Sequence, residues 1–259
     1  MKKLLILLLL LTLAFALSGC SDDATYITSV DQLQTATIGV QRGTTGHLFV
    51  EDSFPDATVN AFSESADAVM ALIAGSIDAV VIDNLVAARF TFRHDGIMVL
   101  DGELTTEPYG IAFPLGSPYT TIFNDALQTL RNNGTFDAIY DYWINENPEA
   151  SRYVSPAGTT HPNGVLRMGT SAGFEPFEFF EGPNIVGFDI CLVNAIGDVI
   201  GYEIEVVNMD FDAIILAVQT GQVDFGMAGM TITEVRRQQV DFSDSYFMAG
   251  QVAIVREPS

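Results

Sequence analysis

AGMTITEVRRQQVDFSDSY, residues 228–246, is the stretch from which the rest of the chain can be read. It follows residues 224–227, a short apolar run with the pattern of a strand, and it opens with a small-residue break at Ala228 and Gly229. Thr231 and Thr233 come next, and Arg236 stands about one helical turn further on. A threonine ahead of a charged turn is a helix start, because its hydroxyl accepts from a free backbone N–H. One strand end therefore gathers free backbone groups, a hydroxyl and a guanidinium. That set suits a carboxylate, since the planar fork of an arginine matches two oxygens. The same residues also describe a capped surface helix with a solvated arginine, and chemistry alone leaves the two readings level.

Upstream, an internal repeat frames this stretch. IILAVQTGQVD at 214–224 is echoed by AVMALIAGSID at 68–78. Each is an apolar helix, a glycine stop and a strand opening with aspartate. Residues 77–82 are almost wholly apolar, as in a parallel strand covered on both faces, and Asp83 ends them. Counted from the repeated aspartates, Asp83 falls opposite Gly229. A carboxylate there sits at the edge where open α/β sheets bind ligands; it also suits the N-cap of a following helix. The halves read as two similar α/β lobes that face each other with their strand ends. Arg236 on one wall and Asp83 on the other fit a zwitterion. At residues 43–46, GTTG lies between a strand (37–40) and a helix. Free N–H groups at such a helix start favour anions, although a plain tight turn explains the glycines equally well.

The first residues are a targeting segment. Lys2 and Lys3 precede an apolar run over residues 4–17, too short for the roughly 20 residues of a membrane span and suited to a secretory leader. Leu17, Ser18, Gly19 and Cys20 follow. The only other cysteine is Cys191, in an apolar helical pattern, which reads as a small core residue rather than a nucleophile. With 11 basic against 33 acidic residues, the net charge is −22. Such a chain avoids nucleic acid and anionic lipid. An apolar share of 48% excludes a disordered acidic tail. No metal-ligand cluster or paired carboxylates at catalytic spacing stand out, and the histidines (His47, His94, His161) fall in loop or helix-edge contexts. The expectation is no metal and no cofactor.

GMTIT-x-x-R followed by VDFSDSY closely resembles the first-lobe signature of the bacterial extracellular solute-binding proteins, family 3, the polar amino-acid receptors of ABC importers. The resemblance implies an α/β, two-lobed type II periplasmic-binding-protein fold. Each lobe is a mixed or parallel sheet flanked by helices, and the ligand lies between the lobes. By the same resemblance, Thr231 and Arg236 hold the ligand α-carboxylate, Gly229 adds a backbone contact, and IGVQRGTTG brings Thr45 to the carboxylate with Gln41 at the pocket border. Asp83 takes the α-ammonium. Phe174 and Phe211 match positions whose rings sandwich the ligand side chain. Ser171 stands where several relatives carry an acid, which favours glutamine or another uncharged polar amino acid. Glu175 is a candidate replacement for that acid. The segment ending at Cys20 resembles a lipobox, implying lipid attachment at Cys20 and membrane contact through that anchor alone.

EPYGIAFP at 107–114 resembles a hinge crossing and reads as one strand, and ALQTLRNNGTFDAIYDYWI resembles the family's closing helices. Trp143 reads as core. The order of these parts departs from the family. It reads as leader (1–19), tether (20–30), second, smaller lobe (31–107), return segment of the first lobe (108–144), linker (145–164), first, larger lobe (165–250) and hinge strand (251–259). That order is a circular permutation, and the rival is a truncated tandem receptor. The expected function is an exported, monomeric, lipid-anchored receptor at the cell envelope that closes on an amino acid and delivers it to an ABC permease. A ligand-sensing module and a dehydratase on the same fold are the other classes.

Overall fold

The computed structural model describes residues 26–258; the leader, Cys20 and most of the tether lie outside them. In chain order the strands are β1 (Thr37–Gln41), β2 (Thr58–Phe62), β3 (Ala79–Asp83), β4 (Ile97–Val99), β5 (Glu107–Tyr109), β6 (Ala112–Phe113) and β7 (Val165–Thr170). Then come β8 (Phe179–Glu181), β9 (Asn184–Val186), β10 (Glu203–Asn208), β11 (Phe225–Gly226), β12 (Asp241–Phe242), β13 (Phe247–Ala249) and β14 (Gln251–Arg256). Two five-stranded sheets result, ordered β2-β1-β3-β14-β4 and β10-β7-β11-β6-β12. In the first, β1 runs parallel to β2 and β3, and β14 is antiparallel to β3 and β4. In the second, β7 runs parallel to β10 and β11, and β6 is antiparallel to β11 and β12. The architecture is a two-lobed mixed α/β fold.

The internal repeat has a physical basis. The helices Ser65–Ile73 and Ile214–Gln219 each lead to a glycine at positive φ, 75° at Gly75 and 71° at Gly221, which an L side chain rarely adopts. Asp78 then grips the start of β1: its N–H donates to the Thr37 carbonyl at 2.8 Å, and its carboxylate accepts from the Thr37 N–H at 2.9 Å. Asp224 does the same to Arg167 in β7, at 2.8 and 2.7 Å. Each lobe thus fixes its central parallel strands with the same two-way clamp, and both β3 and β11 deliver their C-terminal ends to the space between the sheets.

Two chain crossings join the lobes side by side. β5 and β13 pair antiparallel, with Tyr109 opposite Phe247. The stretch 107–114 is two strands rather than one. It breaks at Gly110, where an added Cβ would come within 2.7 Å of Ile232. Aromatic rings pack around the crossing: Phe177 lies 5.2 Å from Tyr109 and 5.0 Å from Phe247, edge to face. β14, the continuation of β13, is buried almost throughout and fills the slot between β3 and β4.

The helices Tyr119–Asn132 and Thr135–Trp143 pack on the helix Phe188–Ile200. Trp143 is core and donates its indole N–H to Cys191 Sγ at 3.2 Å; burial pushes the Cys191 thiol up from its ordinary value. Residues 145–164 contain no helix or strand yet are tied down. Asp198 receives the Tyr153 hydroxyl at 2.7 Å and lies 2.9 Å from His161 Nε2. Burial alone would raise the Asp198 pKa, but these hydrogen bonds outweigh it and hold the carboxyl below its ordinary value.

Candidate binding site

Between the lobes lies a narrow cleft lined by Gln41, Thr44, Thr45, Asp83, Ser171, Phe174, Glu178, Phe211, Ala228, Gly229 and Thr231. Eight of the nine expected ligand-binding residues are among them; Arg236 stands directly behind. The free space is about 10 Å³, roughly one water. Both lobes touch across it. Thr45 Oγ1 lies 3.3 Å from Thr231 Oγ1, Gln41 Nε2 donates to Ser171 Oγ at 3.5 Å, and Arg236 Nη2 donates to the Gly43 carbonyl at 3.1 Å.

Asp83 occupies the N-cap position of the helix Asn84–Arg93, but its side chain caps nothing. Instead it turns to the crossing, accepting from the Tyr109 hydroxyl and from Gln251 Nε2 at 3.0 Å. Burial lifts its pKa to about 7; the Tyr109 and Gln251 hydrogen bonds oppose this, and Glu107 adds to it. Thr233 does cap its short helix, accepting from the Arg236 N–H at 3.1 Å. Arg236 is buried over the Phe211 ring, 5.3 Å from the centroid, and donates to the Thr231 carbonyl at 2.8 Å. Burial lowers its pKa to about 10, against the pull of Glu107 and Asp83, so it stays charged at neutral pH. Two of its five donors therefore hold backbone, one on each side of the cleft.

Gly229 has a structural reason to be glycine. Its φ is 52°, and a Cβ would lie 2.8 Å from the Phe174 ring. Gly229→Ala is expected to lower stability by about 1–3 kcal/mol, read as a fall in Tm; an unchanged Tm would mean that Phe174 yields without cost. The Gly229 N–H is taken by Asp189 Oδ2 at 3.0 Å, leaving its carbonyl as the polar group it can offer the cleft.

Two carboxylates missed by the sequence reading dominate the electrostatics. Glu178 lines the cleft, is 1% exposed and, among the described residues, has no donor at either oxygen. Asp189, on the helix Phe188–Ile200, is fully buried, and its Oδ2 accepts from the Gly229 N–H and from the Tyr246 hydroxyl at 2.8 Å. Burial first, then Asp189, pushes the Glu178 pKa well up, while Asp189 rises to about 6. The asymmetry in donors favours the proton on Glu178 and the negative charge on Asp189, which accepts from two donors. The available signals were a lone acid inside the aromatic run PFEFF and an acid in the first turn of an otherwise apolar helix. Glu175 does not enter the cleft; it points to Arg93 and Arg89 on the outside.

Residues 166–259 match the model of the bacterial extracellular solute-binding proteins, family 3. The family 3 segment carries Ser171, Phe174, Phe211, Gly229, Thr231 and Arg236, whereas Gln41, Thr45 and Asp83 reach the cleft from outside it. The chain is 47% identical over 105 residues to the arginine-binding extracellular protein ArtP of Bacillus subtilis (strain 168), covering 40% of this chain and 41% of that protein. It is 38% identical over 100 residues to a probable histidine-binding protein of Neisseria gonorrhoeae, covering 38% and 37%. A solved ancestral arginine-binding protein bound to arginine is 54% identical over 32% of this chain and 38% of its own, with a TM-score of 0.32. The chain spans about two-fifths of the length of the curated relatives it matches.

Proposed function

We propose that this chain is a solute receptor that closes its two lobes on an amino acid and presents it to an ABC import permease, without turnover. The observation that carries the reading is the cleft itself. Hydroxyls from both lobes (Thr45, Thr231) and a buried Arg236 stand beside Asp83, and Phe174 and Phe211 also line it. An α-carboxylate would take the hydroxyls and the arginine fork, and an α-ammonium would take Asp83, so that each buried charge finds a partner. Because the free space is about one water, ligand entry requires the lobes to part about the β5–β13 crossing.

Glu178 moves the ligand preference. Ser171 supplies no charge, but Glu178 places a buried carboxyl without a donor in the cleft, and a cationic side chain is the natural partner for it. A relative named for arginine binding and another named for histidine binding support this choice. Glutamine is the second reading: protonated Glu178 donates to an amide oxygen, and a further relative is the B. subtilis glutamine-binding protein GlnH. Lipid attachment at Cys20, action as a monomer and a circularly permuted lobe order belong to the same proposal. Calorimetric titration of the protein against the twenty amino acids tests it. Tight one-to-one binding of one amino acid, arginine first, is expected; a folded protein that binds none overturns it.

A further inference from the structure

The helix Asn84–Arg93 starts at Asp83 and runs away from the cleft along its outer edge. Its two arginines reach the other lobe. Arg93 Nη2 lies 2.5 Å from Glu175 Oε2, and Arg89 Nε lies 4.0 Å from Glu175 Oε1. Arg89 also pairs with Glu146 and donates to the Trp143 carbonyl at 3.3 Å. Glu175 follows Phe174, a cleft residue, and Glu146 stands near the start of the segment 145–164, which joins two parts of the larger lobe. Glu146 holds φ 50°, a left-handed conformation uncommon outside glycine. Beneath these pairs is a cavity of about 200 Å³ lined by Leu85, Ala88, Arg89, Ile144, Glu146 and Pro176. At this edge the lobes meet through charge above a hollow lined in part by apolar side chains. Elsewhere between the lobes charge opposes closure: Glu64 is raised by burial and then by Asp210 of the facing lobe.

We propose that Arg89 and Arg93, paired with Glu175 and Glu146, form an ion-pair latch across the cleft edge that sets the balance between closed and open lobes. The latch rests on the reading that the lobes open and close. It is built on segments that also carry ligand walls, with Asp83 at the root of the helix on one side and Phe174 beside Glu175 on the other. Partly exposed pairs are weak singly and screened by salt, so the latch holds lobes that still open. Each partner is at least 19% exposed, and among the four only Arg89 also holds a core backbone group, the Trp143 carbonyl.

The test is small-angle scattering of the full chain, without added amino acid and with arginine or glutamine, at about 0.05 and about 0.5 M salt, together with ligand dissociation rates. Arg89→Glu with Arg93→Glu is expected to enlarge the radius of gyration at low salt, to abolish its salt dependence and to speed dissociation by about five- to tenfold. Adding Glu175→Arg and Glu146→Arg is expected to restore the parent behaviour. Glu175→Gln, milder and surface-placed, should give part of the effect if the double reversal folds poorly. Unchanged scattering and salt dependence in both Glu175→Gln and the double reversal would overturn the latch. A scattering response to charge reversal in a protein that binds no amino acid would keep the latch and remove the receptor reading.

Discussion

Arg236→Met is expected to lower amino-acid affinity by on the order of 2–5 kcal/mol, roughly thirtyfold to several thousandfold, measured by calorimetry at neutral pH. The guanidinium is buried, charged and already shared between the two lobes through the Thr231 and Gly43 carbonyls. Methionine keeps much of the volume over Phe211 and removes every donor. The bound α-carboxylate would then lose its cationic partner, and the lobes would lose one bridge. Arg236→Lys retains charge without the fork and should fall between. Affinity within threefold of the parent in Arg236→Met would remove this residue from the site.

Glu178→Gln has the next largest expected effect, and its size depends on the ligand. Asp83 stands near 7 and Asp189 near 6, each raised by burial above the ordinary 3.8. The folded protein therefore holds protons that the unfolded chain has already lost. The stability contributed by these groups is full below about pH 4 and declines as pH climbs toward 7. An arriving ammonium favours ionised Asp83 and expels its proton, so affinity rises with pH over that window, by up to about tenfold per unit for each proton released. A guanidinium or lysine ammonium meeting Glu178 expels a further proton, whereas glutamine does not. Calorimetry in buffers of different ionisation enthalpy should find more protons released by arginine than by glutamine. Glu178→Gln should cancel that difference and weaken arginine by about a hundredfold or more, while glutamine changes little. Equal proton release by both ligands in the parent would remove Glu178 from side-chain recognition.

The sequence carried the parts of the site that depend on strand ends. The apolar run closing at Asp83, the Thr233 cap and the repeated glycine–aspartate signal all follow local rules, and local rules survive folding. Two expectations depended on direction rather than position. Two Arg236 donors hold backbone carbonyls across the cleft, and Glu175 faces outward, because side-chain aim is set by packing across the lobes. Glu178 and Asp189 escaped notice for a related reason. Each reads locally as a solvated charge in an apolar segment, and only the meeting of distant segments makes them a buried pair. The break at Gly110 was hidden likewise, since Ile232, which crowds it, comes from the distant loop between β11 and the helix Glu234–Arg237.

β14 has a consequence for how the protein comes to be made. It separates β3 from β4, yet it leaves the ribosome long after both. Until it arrives, the nascent first sheet shows two open edges with unpaired N–H and C=O groups, the kind that recruit foreign strands. Closure over so great a sequence separation is slow. Biogenesis should therefore depend on holding chaperones until residues 251–256 are threaded in, and products ending before residue 251 should aggregate rather than persist as soluble half-molecules.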